Sequence, residues 1–252
     1  NDIALTIEEL TEQDRIDIYW NGKIAAARGR MAKMNLAGQR IGELSRWAES
    51  KKVDRIFDVA MKDYETGKNV VIIGEGVNDT ELKALPGVQV KGLLSALAKR
   101  FDEKGIKFAK VYGTGNKSKE VAKFQNGEVK VVLATPQSGG TGINLDDIVG
   151  DKPRKMYVAT MNFSGDVFQQ ILGRVSRKMT QSPSMVKFLN FTNGLSDKRR
   201  KEILDRKVAT LKAIQGGEDV DKALGLEVGG DETQKGISLG SGFGALQDSY
   251  EA

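Results

Sequence analysis

Apolar residues recur at helical spacing along the middle of the N-terminal third: Leu36, Ile41, Leu44, Trp47, then Val53, Ile56, Phe57, Ala60, Met61 and Tyr64. This period predicts an amphipathic helix over 36–65, closed by Gly67 as a C-cap. Directly after it comes Val70-Val71-Ile72-Ile73, a β-branched run bounded by Gly74 and Gly76. Such a run reads as a buried parallel strand. The alternation then continues. The pattern predicts a helix over 91–104 ending at Gly105, a strand over 107–112, a helix over 118–124 and a strand over 129–134. Further on it predicts a strand over 156–159, a helix over 167–177, a strand over 186–190 and a strongly basic helix over 196–214. Residues 1–20 mix polar and apolar positions without a firm period, and the basic stretch 21–34 reads as loop or short helix. From Val228 onward glycine, serine and acids dominate, the composition of a linker or tail. No internal repeat is present.

Five strands with helices between most of them define an α/β fold. The expected architecture is a doubly wound, mostly parallel sheet with helices on both faces. Ligands of such sheets bind at the carboxyl ends of the strands, so the loops leaving those ends carry the candidate chemistry.

Composition narrows that chemistry. The 252 residues include no cysteine and no histidine. This excludes disulfides, thiolate nucleophiles and histidine general bases, and leaves no candidate zinc site. No run approaches the length of a membrane span, and no signal-peptide pattern opens the chain. The expected location is intracellular, in cytoplasm or nucleus, a phage or bacterial source included. A start at Asn1 rather than Met suggests a fragment or a processed product. The net charge of +5 conceals an asymmetry. Glu218–Ala252 holds eight acids and two bases, a net of −6, so residues 1–217 carry +11. A basic body with an acidic tail fits a polyanion-binding surface, and equally a body charged for solubility.

Three constellations remain. Ala134-Thr135-Pro136-Gln137-Ser138-Gly139-Gly140-Thr141-Gly142-Ile143-Asn144-Leu145 follows the third predicted strand. Its glycines let backbone amides approach phosphate oxygens closely, and Thr135 and Ser138 add hydroxyl donors. A flexible turn explains the same composition. Tyr112-Gly113-Thr114-Gly115-Asn116-Lys117-Ser118 ends the second strand and reads either as a phosphate-binding turn or as a solvent loop whose Ser118 caps the next helix. The third is Gln170-Ile171-Leu172-Gly173-Arg174-Val175-Ser176-Arg177. On a helix Arg174 and Arg177 share a face, with Gln170 one turn before Arg174. Two guanidiniums aimed one way invite an anion, and arginine clamps on a transferring γ-phosphate are one such case; a solvated basic face is the other. Neither a Gly-x-x-x-x-Gly-Lys-Ser/Thr loop nor an Asp-Glu pair after an apolar strand occurs anywhere. The basic helix around Lys198–Lys201 reads as a solvated face or a phosphate contact, and Trp20 and Trp47 as core or interdomain packing.

Taken in order, Val70–Ile73, Tyr112-Gly113-Thr114-Gly115, Phe124-Gln125-Asn126-Gly127 before Val131–Thr135, Ser138–Leu145 and Gln170-x-x-Gly173-Arg174-x-x-Arg177 resemble the C-terminal RecA-like lobe of superfamily 2 helicases and translocases. The Swi/Snf-type and strawberry-notch-type branch is nearest, and the resemblance spans about residues 36–215. It implies a RecA-like, P-loop NTPase fold without its own triphosphate cradle. Residues 1–35 would be the connection from a preceding lobe and 216–252 an acidic, glycine-rich tail. It implies ATP with Mg²⁺ held mainly by an N-terminal RecA-like lobe of the same polypeptide, and nucleic acid as partner, DNA ahead of RNA. Arg174 and Arg177 would reach the γ-phosphate, and Gln170 would order the attacking water or couple it to nucleic acid. Gly142 and Asn144 would lie near the nucleotide. Gly113, Thr114, Thr135, Ser138 and Gly139 would grip one strand's backbone. Lys178-Met179-Thr180 stands where Swi/Snf-type proteins usually carry a histidine, and Gly74-Glu75-Gly76 replaces the usual aromatic or polar residues. Two other readings compete: a nucleic-acid-binding module of degenerate RecA fold without an ATP role, and the nucleotide-sugar-binding half of a glycosyltransferase.

Overall fold

The structure, a computed structural model, describes residues 3–139, 143–160, 170, 171, 173–175 and 180–194. The strands fall where the β-branched runs lie: β1 Asn69–Ile73, β4 Phe108–Val111, β5 Val131–Ala134, β6 Arg154–Val158 and β7 Ser184–Phe188. They form one sheet in the order β4-β5-β1-β6-β7, every neighbour parallel. Two-residue strands β2 (Thr80–Glu81) and β3 (Gln89–Val90) make a separate antiparallel pair that the pattern did not predict.

The sheet divides its side chains by parity, as a pleat requires. Val70, Ile72, Val131, Leu133 and Tyr157 face a cluster built with α2 (Arg30–Glu65) and α3 (Leu93–Glu103). Val71, Ile73, Val132, Ala134, Met156 and Val158 face the other cluster, with Phe124 of α4 (Lys117–Gln125), Leu145, Ile171 and Val175. Both faces are therefore covered, the arrangement that all-parallel sheets need.

The N-terminal region corrects the sequence expectation. Residues 7–26 form α1 (Ile7–Ala26), and α2 starts at Arg30 rather than at residue 36. Thr6 caps α1 in a capping box with Glu9. Gln13, Ile16 and Trp20 bury one face of α1 against α2, while Ile7 and Ile18 stand in solvent. Exposed isoleucines and a buried glutamine blur the period that would have announced the helix. Trp20 and Trp47 both lie in this third cluster, at 3% and 1% exposure.

Direction matters for the site. α2 packs on the sheet antiparallel to β1, so its N-terminal half reaches past the carboxyl edge. Glu49, fully buried, accepts from the amides of Glu75 (2.8 Å) and Gly76 (2.6 Å) just after β1. Lys52, also fully buried, donates to the Ala159 carbonyl (2.8 Å) just after β6 and lies 4.8 Å from the Phe191 ring centroid. The entry and exit of the described chain are clasped nearby. Asn193 Nδ2 donates to the Leu5 carbonyl and its Oδ1 accepts from the Leu5 amide, each at 2.8 Å. No helix among the described residues is long and apolar enough to cross a membrane.

The helix predicted over 167–177 is only partly described: residues 170, 171 and 173–175 are helical. The basic helix predicted over 196–214 and the tail lie outside the described residues.

Candidate phosphate-facing edge

The loop after β5 folds on its own hydroxyls. Thr135 N donates to Ser138 Oγ (3.0 Å), and Ser138 N donates to Thr135 Oγ1 (3.1 Å). This reciprocal pair closes a single 3₁₀ turn, Gln137–Gly139. Ser138 Oγ in turn donates to the Val111 carbonyl at the end of β4, and the residue is 8% exposed. Its one hydroxyl proton is thus spent on the protein, binding two adjacent strand ends together. Thr135 remains half-buried.

At the end of β4, Gly113 adopts φ +72, a left-handed conformation that explains glycine there. Gly113 and Thr114 are exposed. Asn116, not Ser118, caps α4, accepting from the Lys119 amide at 3.1 Å. That corrects the capping residue suggested by the sequence.

Arg174 lies under the loop that leaves β5. It is 4% exposed, its Nη2 donates to the Pro136 carbonyl (2.7 Å), and its own carbonyl accepts from the Leu145 amide (2.8 Å). Burial lowers its pKa, and among the described residues no charge opposes that. Among the described residues no carboxylate pairs with it. Gln170, one turn earlier, is exposed.

A second buried arginine gives the contrast. Arg154 begins β6, at the amino edge of the sheet, 1% exposed. Its guanidinium stacks over Phe124 at 4.2 Å and donates to Gln125 Oε1 (3.0 Å) and the Asp146 carbonyl (3.4 Å). Burial lowers its pKa while Asp147, Asp146 and Asp151 act against that. Arg154 is a cation with acids around it. Among the described residues Arg174 is a cation without them.

Asn144 sits where its chain descends from the carboxyl edge. Its carbonyl accepts from Gln125 Nε2 (2.7 Å), and its Oδ1 is buried with no partner. An orphaned buried amide oxygen costs about 1–3 kcal/mol. Thr160, at the carboxyl end of β6, has a buried hydroxyl in the same condition. Arg177, Gly142 and the side-chain surroundings of Gly139 lie outside the described residues.

The structure therefore gathers Gly113, Thr114, Thr135, Ser138 and Arg174 at one edge, and sets Asn144 behind them. Sequence reasoning missed Glu49 and Lys52, since charged residues on a helix ordinarily mark its solvent face. No group of three or more Asp and Glu able to hold a metal occurs among the described residues.

An all-parallel, five-stranded sheet with helices on both faces and the candidate loops at its carboxyl edge fits a RecA-like α/β lobe. Among solved structures, the C-terminal part of the Fun30 ATPase domain matches with a TM-score of 0.51 at 11% identity, over 81% of this chain and 87% of that one. The RNA helicase Prp28 from Chaetomium thermophilum, bound to ADP, matches at a TM-score of 0.40 and 14% identity, over 67% of this chain and 35% of that one. The first likeness shows the fold, and the class expected from the sequence is the class observed. No protein-family profile and no curated protein matches the sequence.

Proposed function

We propose that this chain is the second motor lobe of an ATP-dependent nucleic-acid helicase or translocase, acting on DNA ahead of RNA. The observation that carries the reading is Arg174: a buried guanidinium at the carboxyl edge with no carboxylate partner among the described residues. A buried cation without an anion is costly, and a bound γ-phosphate would supply the missing charge. ATP with Mg²⁺ would be held mainly by a preceding lobe of the same polypeptide and would supply the transferable phosphoryl group. This chain's residues would do the rest. Arg174, with Arg177, would stabilise negative charge on the transferring group; Gln170 would orient the attacking water or pass its state to the nucleic acid. Gly142 and Asn144 would lie beside the nucleotide. Gly113, Thr114, Thr135 and Gly139 would meet phosphates of one strand, contacts that position without reading sequence, while Ser138, its donors already used within the protein, would shape the loop that presents them.

The test uses the protein with both lobes. Arginine fingers supply about 10³–10⁵ in rate. Arg174→Ala and Arg177→Ala should each lower ATP turnover by at least about 10³-fold while the chain still melts cooperatively. Near-wild-type turnover in both variants would sink the reading. The 252-residue chain alone should hydrolyse little ATP.

One observation favours a second reading, a nucleic-acid-binding module without an ATP role. Arg174 already has a protein acceptor in the Pro136 carbonyl. Salt-dependent binding that ignores ATP even with the neighbouring lobe present would support it.

A further inference from the structure

The Phe124-Gln125-Asn126-Gly127 stretch carries a side chain that the proposed reaction does not use. Gln125 ends α4, which runs back from the end of β4 toward the start of β5. Phe124 beside it is fully buried and fixes where the helix terminus meets the sheet. Lys152 Nζ donates to the Gln125 carbonyl at 3.3 Å, one of the carbonyls a helix end leaves open. Both ends of the Gln125 side chain are engaged. Nε2 donates to the carbonyls of Asn144 (2.7 Å) and Asp146 (3.1 Å), and Oε1 accepts from Arg154 Nη2 (3.0 Å). These partners fix which way the amide faces. Turned over, it would aim its NH₂ at a guanidinium and its oxygen at two carbonyls. Arg154 cannot step aside, since it is 1% exposed, stacked over Phe124 and also bonded to the Asp146 carbonyl.

What Gln125 holds is the chain between the carboxyl-edge loop and β6. Its residues alternate in what they meet. Asn144 and Asp146 give their carbonyls to Gln125. Leu145, between them, donates its amide to the Arg174 carbonyl (2.8 Å) and is fully buried. One side chain thus does for this segment what a neighbouring strand would do, and the helical turn of Arg174 lies at the segment's other hydrogen-bonding side. Arg174 is tied in turn to the Pro136 carbonyl through Nη2. The bonds make one continuous series, from Arg154 to Gln125, to residues 144–146, to Arg174 and to the loop leaving β5. Contiguity is not coupling, so the two ends of the series must be measured separately.

We infer that Gln125 is a positioning residue for the carboxyl-edge site: it holds residues 144–146 at the height that places Asn144 and the Arg174 guanidinium there. Gln125 ends its helix near the start of β6, away from that edge, and acts only through the chain it holds. Its effect on turnover rests on the motor-lobe reading; its hold on residues 144–146 does not. A misplacement of about 1 Å at a reacting centre costs on the order of 10²-fold in rate. Loss of the hold therefore lowers kcat and leaves the KM for ATP, set mainly by the preceding lobe, nearly unchanged.

The test variant is Gln125→Glu, which keeps the size and the Arg154 partner but turns an acceptor toward the carbonyls of Asn144 and Asp146. In the 252-residue chain, amide exchange at Leu145 should quicken by at least about tenfold while β1 keeps its wild-type protection. In the protein with both lobes, kcat should fall by about 10- to 10²-fold with the KM for ATP within about threefold of wild type. Added to Arg174→Ala, the change should lower turnover no further, because the group it positions is already gone. A merely structural defect would add its own loss there, and additive losses would overturn the inference. Gln125→Met removes the same donors without adding a charge, and serves if Gln125→Glu does not melt cooperatively. Unchanged Leu145 exchange in a folded variant would also overturn the inference. So would quickened exchange with wild-type turnover in a protein that Arg174→Ala inactivates. Wild-type turnover in Arg174→Ala itself overturns the motor-lobe reading alone, and Leu145 exchange then decides whether Gln125 holds the segment.

Discussion

Arg174 Nη2 donates to the Pro136 carbonyl over 2.7 Å, so the helical segment that carries Gln170 and Arg174 is fastened to the loop leaving β5. Anything that moves Arg174 must release that loop or take it along. If the guanidinium is held in wait for an anion, its burial is a cost that the fold sustains.

Arg174→Met separates waiting from bracing. The change loses one charge-assisted hydrogen bond, about 1.5–3 kcal/mol, and removes a buried cation whose desolvation costs several kcal/mol. The 252-residue chain should therefore keep its urea-unfolding free energy within about 1 kcal/mol, or gain stability. A loss above about 3 kcal/mol would mark the residue as a structural brace.

Ser138→Ala tests the neighbouring tie. The hydroxyl joins Thr135 N and the Val111 carbonyl, the ends of β5 and β4. Its loss leaves a buried acceptor unmet and should destabilise the chain by about 1–3 kcal/mol. Amide exchange should quicken first at Thr135 and in the turn over 137–139. Exchange unchanged there would show that the loop is held by other means.

What could be read from the chain, and what could not, divides along physical lines. The strands were legible because Val70–Ile73 and Val131–Ala134 are buried on both faces, and burial on both faces leaves a continuous apolar run. The helix over 167–177 was legible where it is described, because Ile171 and Val175 stand four apart and both are buried. α1 was not, since Ile7 and Ile18 point to solvent while Gln13 is buried. β2 and β3, two residues each, carry no period at all. Glu49 and Lys52 are set by partners 26 and 107 positions away along the chain, which no local pattern encodes. The basic character of 21–34 was visible, but not that the stretch closes α1 and opens α2 six residues earlier than the apolar period suggests.

Two glycine-to-alanine changes should act in opposite directions. At Gly92, before α3, an added Cβ would stand 2.7 Å from the backbone of Val77 and Asn78. Backbone at both contacts cannot step aside, so Gly92→Ala should cost about 1–3 kcal/mol by overpacking. At Gly38, inside α2, an added Cβ meets nothing within 4 Å. Gly38→Ala should raise stability by about 0.5–1 kcal/mol through helix propensity. Melting temperatures of the two variants moving the same way would contradict this account of their surroundings.

Asp147 sets the acid side of the stability curve. Burial pushes its carboxyl up, but the Ser182 hydroxyl and the amides of Lys152, Val149 and Gly150 outweigh burial and hold it at about 2. The Lys152 amide is 2.7 Å from Oδ2, and the Val149 and Gly150 amides are 3.0 and 3.2 Å from Oδ1. The folded pKa lies below the ordinary value of 3.8, so the unfolded chain binds the proton more readily. The stabilisation is therefore fully present above about pH 4 and is lost as the pH falls through about 2. A shift from 3.8 to about 2 corresponds to about 2 kcal/mol. Asp147→Asn should cost the chain about that much in urea unfolding at pH 7, with the gap from wild type narrowing steadily between pH 4 and pH 2. A gap that stayed constant across that range would mean that the carboxylate's charge contributes nothing to holding the 147–152 turn against the start of β6.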